Sequence, residues 1–154
     1  MIRMTTLLAA AAAVVALAAP TVAQEAFIPE GQENFHDSFR ASPAIRAGDF
    51  IFISGVVGYI PTEEERTPEA YEAAIRDTFQ RIETLLNTAD SSWSDVVEMT
   101  TFHVDMREHQ EIFRAVREEF ITEEPYPAWT GIGVDALWAD PLFVEVRVTA
   151  YVGE

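Results

Sequence analysis

Residues that combine a carboxylate, a guanidinium, an indole and bare backbone at regular spacing fall close together near the C-terminus, in WTGIGVDALWADPLFVEVRVTAYV, Trp129 to Val152. Glu145 is a group that can order a water as general acid or base, and Arg147 is one that binds small anions. From Leu142 onward the even positions Leu142, Val144, Val146, Val148, Ala150 and Val152 are apolar, while Phe143, Glu145, Arg147, Thr149 and Tyr151 alternate with them. A two-residue period is a β-strand with one buried face and one face free for chemistry. Thr130, Ile132, Val134, Ala136 and Trp138 alternate in the same way with Trp129, Gly131, Gly133, Asp135 and Leu137. The short, turn-prone Ala139-Asp140-Pro141 link predicts an antiparallel hairpin. With the apolar faces aligned, Trp129, Gly131, Gly133, Glu145 and Arg147 share the other face and form a groove walled by the indole. Two plainer readings stay open: Glu145 paired with Arg147, about 7 Å along the strand, and Trp129 filling a subunit interface rather than stacking on a ligand.

Several chemistries are excluded by what the chain lacks. There is no cysteine, hence no disulfide, thiolate nucleophile or thiolate metal site. All 10 cationic residues counted as Lys or Arg are arginine, so no lysine can form a Schiff base. His36, His103 and His109 lack metal-ligand spacing, and His103, inside a strand, is expected to complete a core or interface hydrogen bond. Ser54 has no nearby histidine base in sequence, and no phosphate loop or nucleotide fingerprint appears, so no cofactor is called for.

The elements that must position these groups follow from periodicity. Gln24 to Ser42 reads as an extended arm or loop. Pro43 to Val57 reads as two strands around Ala47-Gly48-Asp49; the second alternates Phe50, Phe52 and Ser54 with Ile51, Ile53 and Gly55. Apolar on both sides, it should be central and covered on both faces, with its pattern ending at Ser54-Gly55. Thr67, Pro68 and Glu69 signal a helix start, and Tyr71, Ile75, Phe79, Ile82, Leu85 and Leu86 make its apolar stripe to about Asn87. Val96 to Val104 is a strand. Asp105 and Glu108 predict a capping box for a second helix with stripe Ile112, Phe113, Val116 and Phe120. The order β-β-α-β-α-β-β implies an α+β unit with its helices on one side of a mixed sheet. Something else must bury the other side, and a homo-oligomer is the simplest candidate.

The chain opens with Arg3, an apolar run from about Leu7 to Ala19, and Pro20 and Ala23 among small residues. These are the parts of a secretory signal peptide over residues 1–23, leaving 24–154 as one domain, periplasmic or secreted, with no membrane attachment after cleavage. A membrane anchor is the alternative, against which stands an apolar core well short of about 18 residues. The formal charge of -16 argues against nucleic acid as a partner and for solubility as the simplest role of the acidity.

The segments ASPAIRAGDFIFISGVVG, TFQRIETLLNTADSSWSDVVEMTTFHVDM, FRAVREEF, YPAWTGIGVDAL and FVEVRVTAYV resemble, in order and spacing, the Rid family (reactive intermediate deaminase, RidA or YjgF-like), often labelled endoribonuclease L-PSP. The resemblance covers about residues 41–152. It implies a chorismate-mutase-like fold assembled as a homotrimer, with sheets forming a central barrel and small-molecule clefts between subunits. It also implies hydrolysis of 2-imino or enamino acids to 2-oxo acids and ammonia. Glu145 falls on the family's water-ordering glutamate, and Ser54 and Gly55 on its pocket serine-glycine. The carboxylate-binding arginine of the P-A-R-[ST] motif falls at Trp129, before Thr130; a frequent cysteine falls at Gly131, a pocket asparagine at Phe113, and a tyrosine at Ala41. These departures make the implied pocket more apolar. Arg147, expected on the same face as Trp129, would take over the lost anion binding. Two functions are therefore expected: a divergent exported trimer that binds a small ligand at its clefts, or an imine deaminase that uses Glu145 and a water.

Overall fold

A threonine and a proline start the longest helix. In the computed structural model, which describes residues 23–153, the Thr67 side-chain oxygen accepts the Ala70 N–H at 3.2 Å, and Pro68 opens α2 (Pro68–Thr88). Its apolar stripe, Tyr71, Ile75, Phe79, Ile82, Leu85 and Leu86, is buried as the spacing requires. The second stripe lies on α3 (Met106–Phe120), where Phe113 and Val116 are buried. Its start differs from expectation: Asp105 has φ 52° and makes no side-chain cap. Glu108 instead accepts the Tyr71 hydroxyl at 2.9 Å, tying α3 to α2.

These two helices cover one face of a six-stranded mixed sheet. Its strands are β1 (Gln24–Phe27), β2 (Ala44–Ala47), β3 (Phe50–Tyr59), β4 (Val96–Val104), β5 (Ala128–Val134) and β6 (Leu142–Tyr151), in the spatial order β1-β2-β3-β6-β4-β5. The α+β architecture and helix placement agree with the periodicity. The region before Pro43 does not: instead of an arm or loop it supplies edge strand β1, paired with β2, and the short helix α1 (Glu33–Phe39). The signal-peptide expectation covers residues 1–23, of which 1–22 lie outside the described residues.

The hairpin expectation is wrong, and the error changes the site. β6 lies between β3 and β4, while β5 pairs with β4 in parallel. The β5 strand stops at Val134, which leaves Asp135 to Pro141 as the connection, long enough to carry the chain past β4. The parallel β4–β5 pair is joined through α3, as parallel neighbours require a crossover.

Two irregularities matter locally. β3 does not end at Ser54-Gly55; its pairing with β6 shifts there and resumes from Val56 to Tyr59. A second shift, with Gly58 opposite Val144 and Tyr59 opposite Leu142, leaves Phe143 as an extra residue. Phe143 therefore leaves the alternation and is buried against Tyr71 and His109. Gly58 permits this, since a Cβ there would press on Val144 and Thr78.

Candidate functional site

Register decides which side chains meet. On β6, Val144, Val146, Val148 and Ala150 are buried on the helix side, so Glu145, Arg147, Thr149 and Tyr151 face away from the helices. Glu145 lies opposite Val57 on β3 and Phe102 on β4, and Arg147 opposite Thr100. Through β4 the register continues to β5: Thr100 aligns with Thr130 and Phe102 with Ile132. Thr130 and Ile132 thus share the open face with Glu145 and Arg147. Trp129 aligns instead with Met99 and Val148, on the helix face.

The single groove expected from the hairpin is therefore absent within one chain. Trp129, Gly131 and Gly133 lie on one side of the sheet, and Glu145 and Arg147 on the other. The premise that Arg147 replaces an anion-binding group at Trp129 fails with it, because the two side chains point away from each other. Glu145 and Arg147 also form no ion pair, although both are among the described residues.

One expected grouping is present. Gly55 sits under Glu145 so closely that any side chain there would collide with its carboxylate. Bare backbone is required for this approach. Next to it, the Ser54 N–H donates to Pro43 O at 2.9 Å and its hydroxyl donates to Ser42 O at 2.7 Å, so Ser54 pins the chain entering β2. Beside them a cavity of about 270 Å³ is lined by Phe35, Pro43, Ser54, Gly55, Val57 and Arg81, among others. The Arg81 guanidinium donates to Val57 O and pairs with Asp77.

The second grouping surrounds Trp129. Its Nε1–H donates to Thr101 Oγ1 at 3.0 Å, and its ring stacks on Phe113 at 5.9 Å. Phe113 is only 1% exposed and also packs on Phe79 and His103. It can shape a site by backing the indole but offers no contact surface within the chain. Gly131 leaves little space, because the Met106 methyl would lie 3.0 Å from a Cβ there, whereas Gly133 is open. Arg117, one turn beyond Phe113, is a site neighbour that no motif or strand spacing singled out; its guanidinium carbon lies 4.3 Å from the centre of the Trp129 ring. The i, i+4 spacing of Phe113 and Arg117 was the available signal.

Behind Trp129 runs a buried polar chain. Thr101 Oγ1 is 2.8 Å from His103 Nε2, and His103 Nδ1 is 3.0 Å from His109 Nε2. His103 thus completes an internal hydrogen-bond network, as its place in a strand predicted. Burial holds both imidazoles well below their usual range, each at about 4; His109 lowers His103 further, whereas Glu108 and Asp105 oppose the shift at His109. Both rings are neutral at neutral pH, and one proton bridges them. Among the described residues no cluster of three or more His, Cys, Asp or Glu is placed to hold a metal, and no helix is long and apolar enough to cross a membrane.

Comparison with known proteins agrees with this layout. The chain is 33% identical over 134 residues to RutC family protein YjgH of Escherichia coli, covering 86% of this chain and 98% of the relative. It is 30% identical over 110 residues to RutC family protein PH0854 of Pyrococcus horikoshii, covering 71% and 85%. The solved structure of protein YJGH superposes with a TM-score of 0.69 at 30% identity, covering 85% of this chain and 98% of that one. Rv2704 of Mycobacterium tuberculosis, described as a YjgF/YER057c/UK114 family member, has a TM-score of 0.69 at 25% identity, covering 84% and 100%. The family model described as Endoribonuclease L-PSP matches residues 35–152, and by that match and the identity to YjgH the chain belongs to that family, the YjgF/RutC/Rid group.

Proposed function

We propose that this protein is an exported homotrimer that binds a small, partly apolar molecule in clefts between its subunits, without the imine chemistry that its family resemblance implies. The observation that carries this reading is the division of the candidate residues between opposite faces of one sheet. Glu145 lies over Gly55, next to Ser54, as one half-site, whereas Trp129 and Gly131 lie on β5 at the sheet's far edge and on its other face, with Thr130 between them on the face of Glu145. A second copy supplies what one chain keeps apart. The open face supports this: Phe50, Phe52, Ile132 and Tyr151 are each about two-fifths exposed there, apolar surface that a second copy would cover. A tryptophan at the position where the family resemblance expects an arginine favours a binder over a deaminase, because an indole cannot clamp a carboxylate. Export rests on residues 1–23 and is tested by whether the mature chain begins near Gln24.

The alternative is hydrolysis of 2-imino or enamino acids by Glu145 and a water. It draws on the Glu145 carboxylate, which has no partner among the described residues and lies over bare backbone at Gly55. One experiment separates the two. Generate 2-iminobutanoate in situ, trap it with semicarbazide, and measure its loss with and without the protein, with sedimentation of the same sample. A trimer that does not accelerate loss supports the binder. Acceleration abolished by Glu145→Gln establishes the enzyme in its place, and a monomer removes both.

A further inference from the structure

The buried chain behind Trp129 has a direction, which its donors and acceptors fix. The indole Nε1–H can only donate, so Thr101 Oγ1 accepts it at 3.0 Å. The Thr101 hydroxyl has one proton to give and two acceptors in view, His103 Nε2 at 2.8 Å and Thr130 O at 3.5 Å. The nearer atom takes it, since hydroxyl bonds run about 2.5–3.0 Å. His103 is thereby a neutral ring with its proton on Nδ1, which donates to His109 Nε2 at 3.0 Å. His109 in turn carries its proton on Nδ1, where no acceptor meets it among the described residues.

Adding one proton to the pair has a single outcome. The gap between His103 Nδ1 and His109 Nε2 holds one hydrogen and His109 Nδ1 already has its own, so the third must sit on His103 Nε2. That nitrogen then donates to Thr101, whose own proton turns to Thr130 O. The 3.5 Å contact has to shorten for this bond to form. Thr130 follows Trp129 on β5, so the change reaches the backbone beside the indole. Stacking on Phe113 and Arg117 sets the tilt of the indole but leaves it free to slide in its own plane. The Nε1–H bond to Thr101 removes that freedom.

Burial holds both imidazoles at about 4. From α2, Tyr71 stacks on His109 with ring centres 5.0 Å apart, its hydroxyl on Glu108. Glu108 and Asp105, at the start of α3, favour the charged form of His109, whereas Arg66, in the loop before α2, opposes it. Phe113 from α3 meets His103 edge-on, and Phe143 from β6 meets His109 in the same way. Each added proton therefore stays within the relay.

We propose that Thr101, His103 and His109 are positioning residues for the Trp129 end of β5: a one-way hydrogen-bond relay that fixes the indole in neutral solution and hands the Thr101 proton to the Thr130 carbonyl when the histidine pair is charged. The relay lies inside one chain and needs neither a ligand nor a second copy. It goes beyond the proposed function, and either can fail without the other. The consequence is that the β5 wall of the candidate site responds to acid.

Nitrogen-15 NMR of the full mature chain reads the ring tautomers and the indole N–H separately, with the Trp129 signal assigned by its absence in Trp129→Phe. Near neutral pH both His103 and His109 are expected in the Nδ1–H form, the one less favoured in free histidine. Lowering the pH to about 5 charges about a tenth of a group that titrates at about 4, and the indole N–H should shift along the His103 titration. Thr101→Val should abolish that response while both histidines still titrate, and Thr101→Ser, which keeps the hydroxyl, should restore it; a purely packing role for Thr101 would not give this pattern. If Thr101→Val does not fold, His103→Gln replaces it, and loss of the indole response is again expected because an amide takes up no proton. His103 in the Nε2–H form near neutral pH overturns the relay. So does an indole signal that ignores the His103 titration in the wild type, or one that still responds to pH in Thr101→Val or His103→Gln.

Discussion

The two faces of the sheet carry similar numbers of large apolar side chains but meet different fates. On the helix face, Ile51, Ile53, Val146, Val148 and Met99 are almost wholly buried beneath α2 and α3, so the chain covers them itself. On the opposite face, Phe50, Phe52, Ile132 and Tyr151 stay partly exposed around Glu145 and Arg147. The closed face is where folding free energy is gained. The open face is left uncovered by the chain's own helices, and the apolar residues there surround the polar groups of the candidate site. In this protein, hydrophobicity alone does not distinguish the covered face from the open one; only the register and the position of the helices do.

The contrast can be broken most sharply from the closed side. Phe79 is fully buried and packs on Trp93, Phe113 and Phe120, so Phe79→Ala should cost about 3–5 kcal/mol in chemical denaturation. A loss below about 1 kcal/mol would mean that this cluster is not the core. On the open face, Phe52→Glu should leave the isolated chain folded but weaken self-association by about one to two orders of magnitude, from the roughly 1.5–3 kcal/mol lost when one aromatic is no longer buried. Sedimentation at a series of concentrations reads this directly, and unchanged association would show that the open face is not the contact.

The smallest expected effect sharpens the distinction within the closed face. His103 and His109 are held at about 4 by burial in the native state, whereas in the unfolded chain they titrate near 6.5. The unfolded state therefore binds more protons between those values, and this contribution to stability falls as pH is lowered from about 6.5 to about 4, then levels off. Thermal unfolding across this window, compared with His103→Gln, should show a slope difference on the order of 1 kcal/mol per pH unit. Parallel curves would mean that the imidazoles do not titrate with folding.

Much of the fold was legible because its signals are local. The Thr67-Pro68 start, both helix stripes and strand β4 depend on neighbours within a turn or a few residues, where side-chain spacing states the answer. Glu145 beside Ser54-Gly55 was also anticipated, through motif resemblance rather than periodicity. The β5–β6 pairing was not, since strand partners are chosen by long-range packing and a turn-prone link only permits a hairpin. Taking it as one reversed the side of the sheet on which Trp129 was placed.

By itself the sequence determined the two covering helices, the strands from β2 onward, the α+β class and the absence of thiol and lysine chemistry, each a matter of residue type and short-range spacing. Tertiary structure decided the rest: that β5 runs beside β4, that Trp129 stands back to back with Glu145 across the sheet, and that Arg117 is stacked on the indole. Which face a side chain occupies depends on its partner strand, and a single change of partner turns the whole set to the other side.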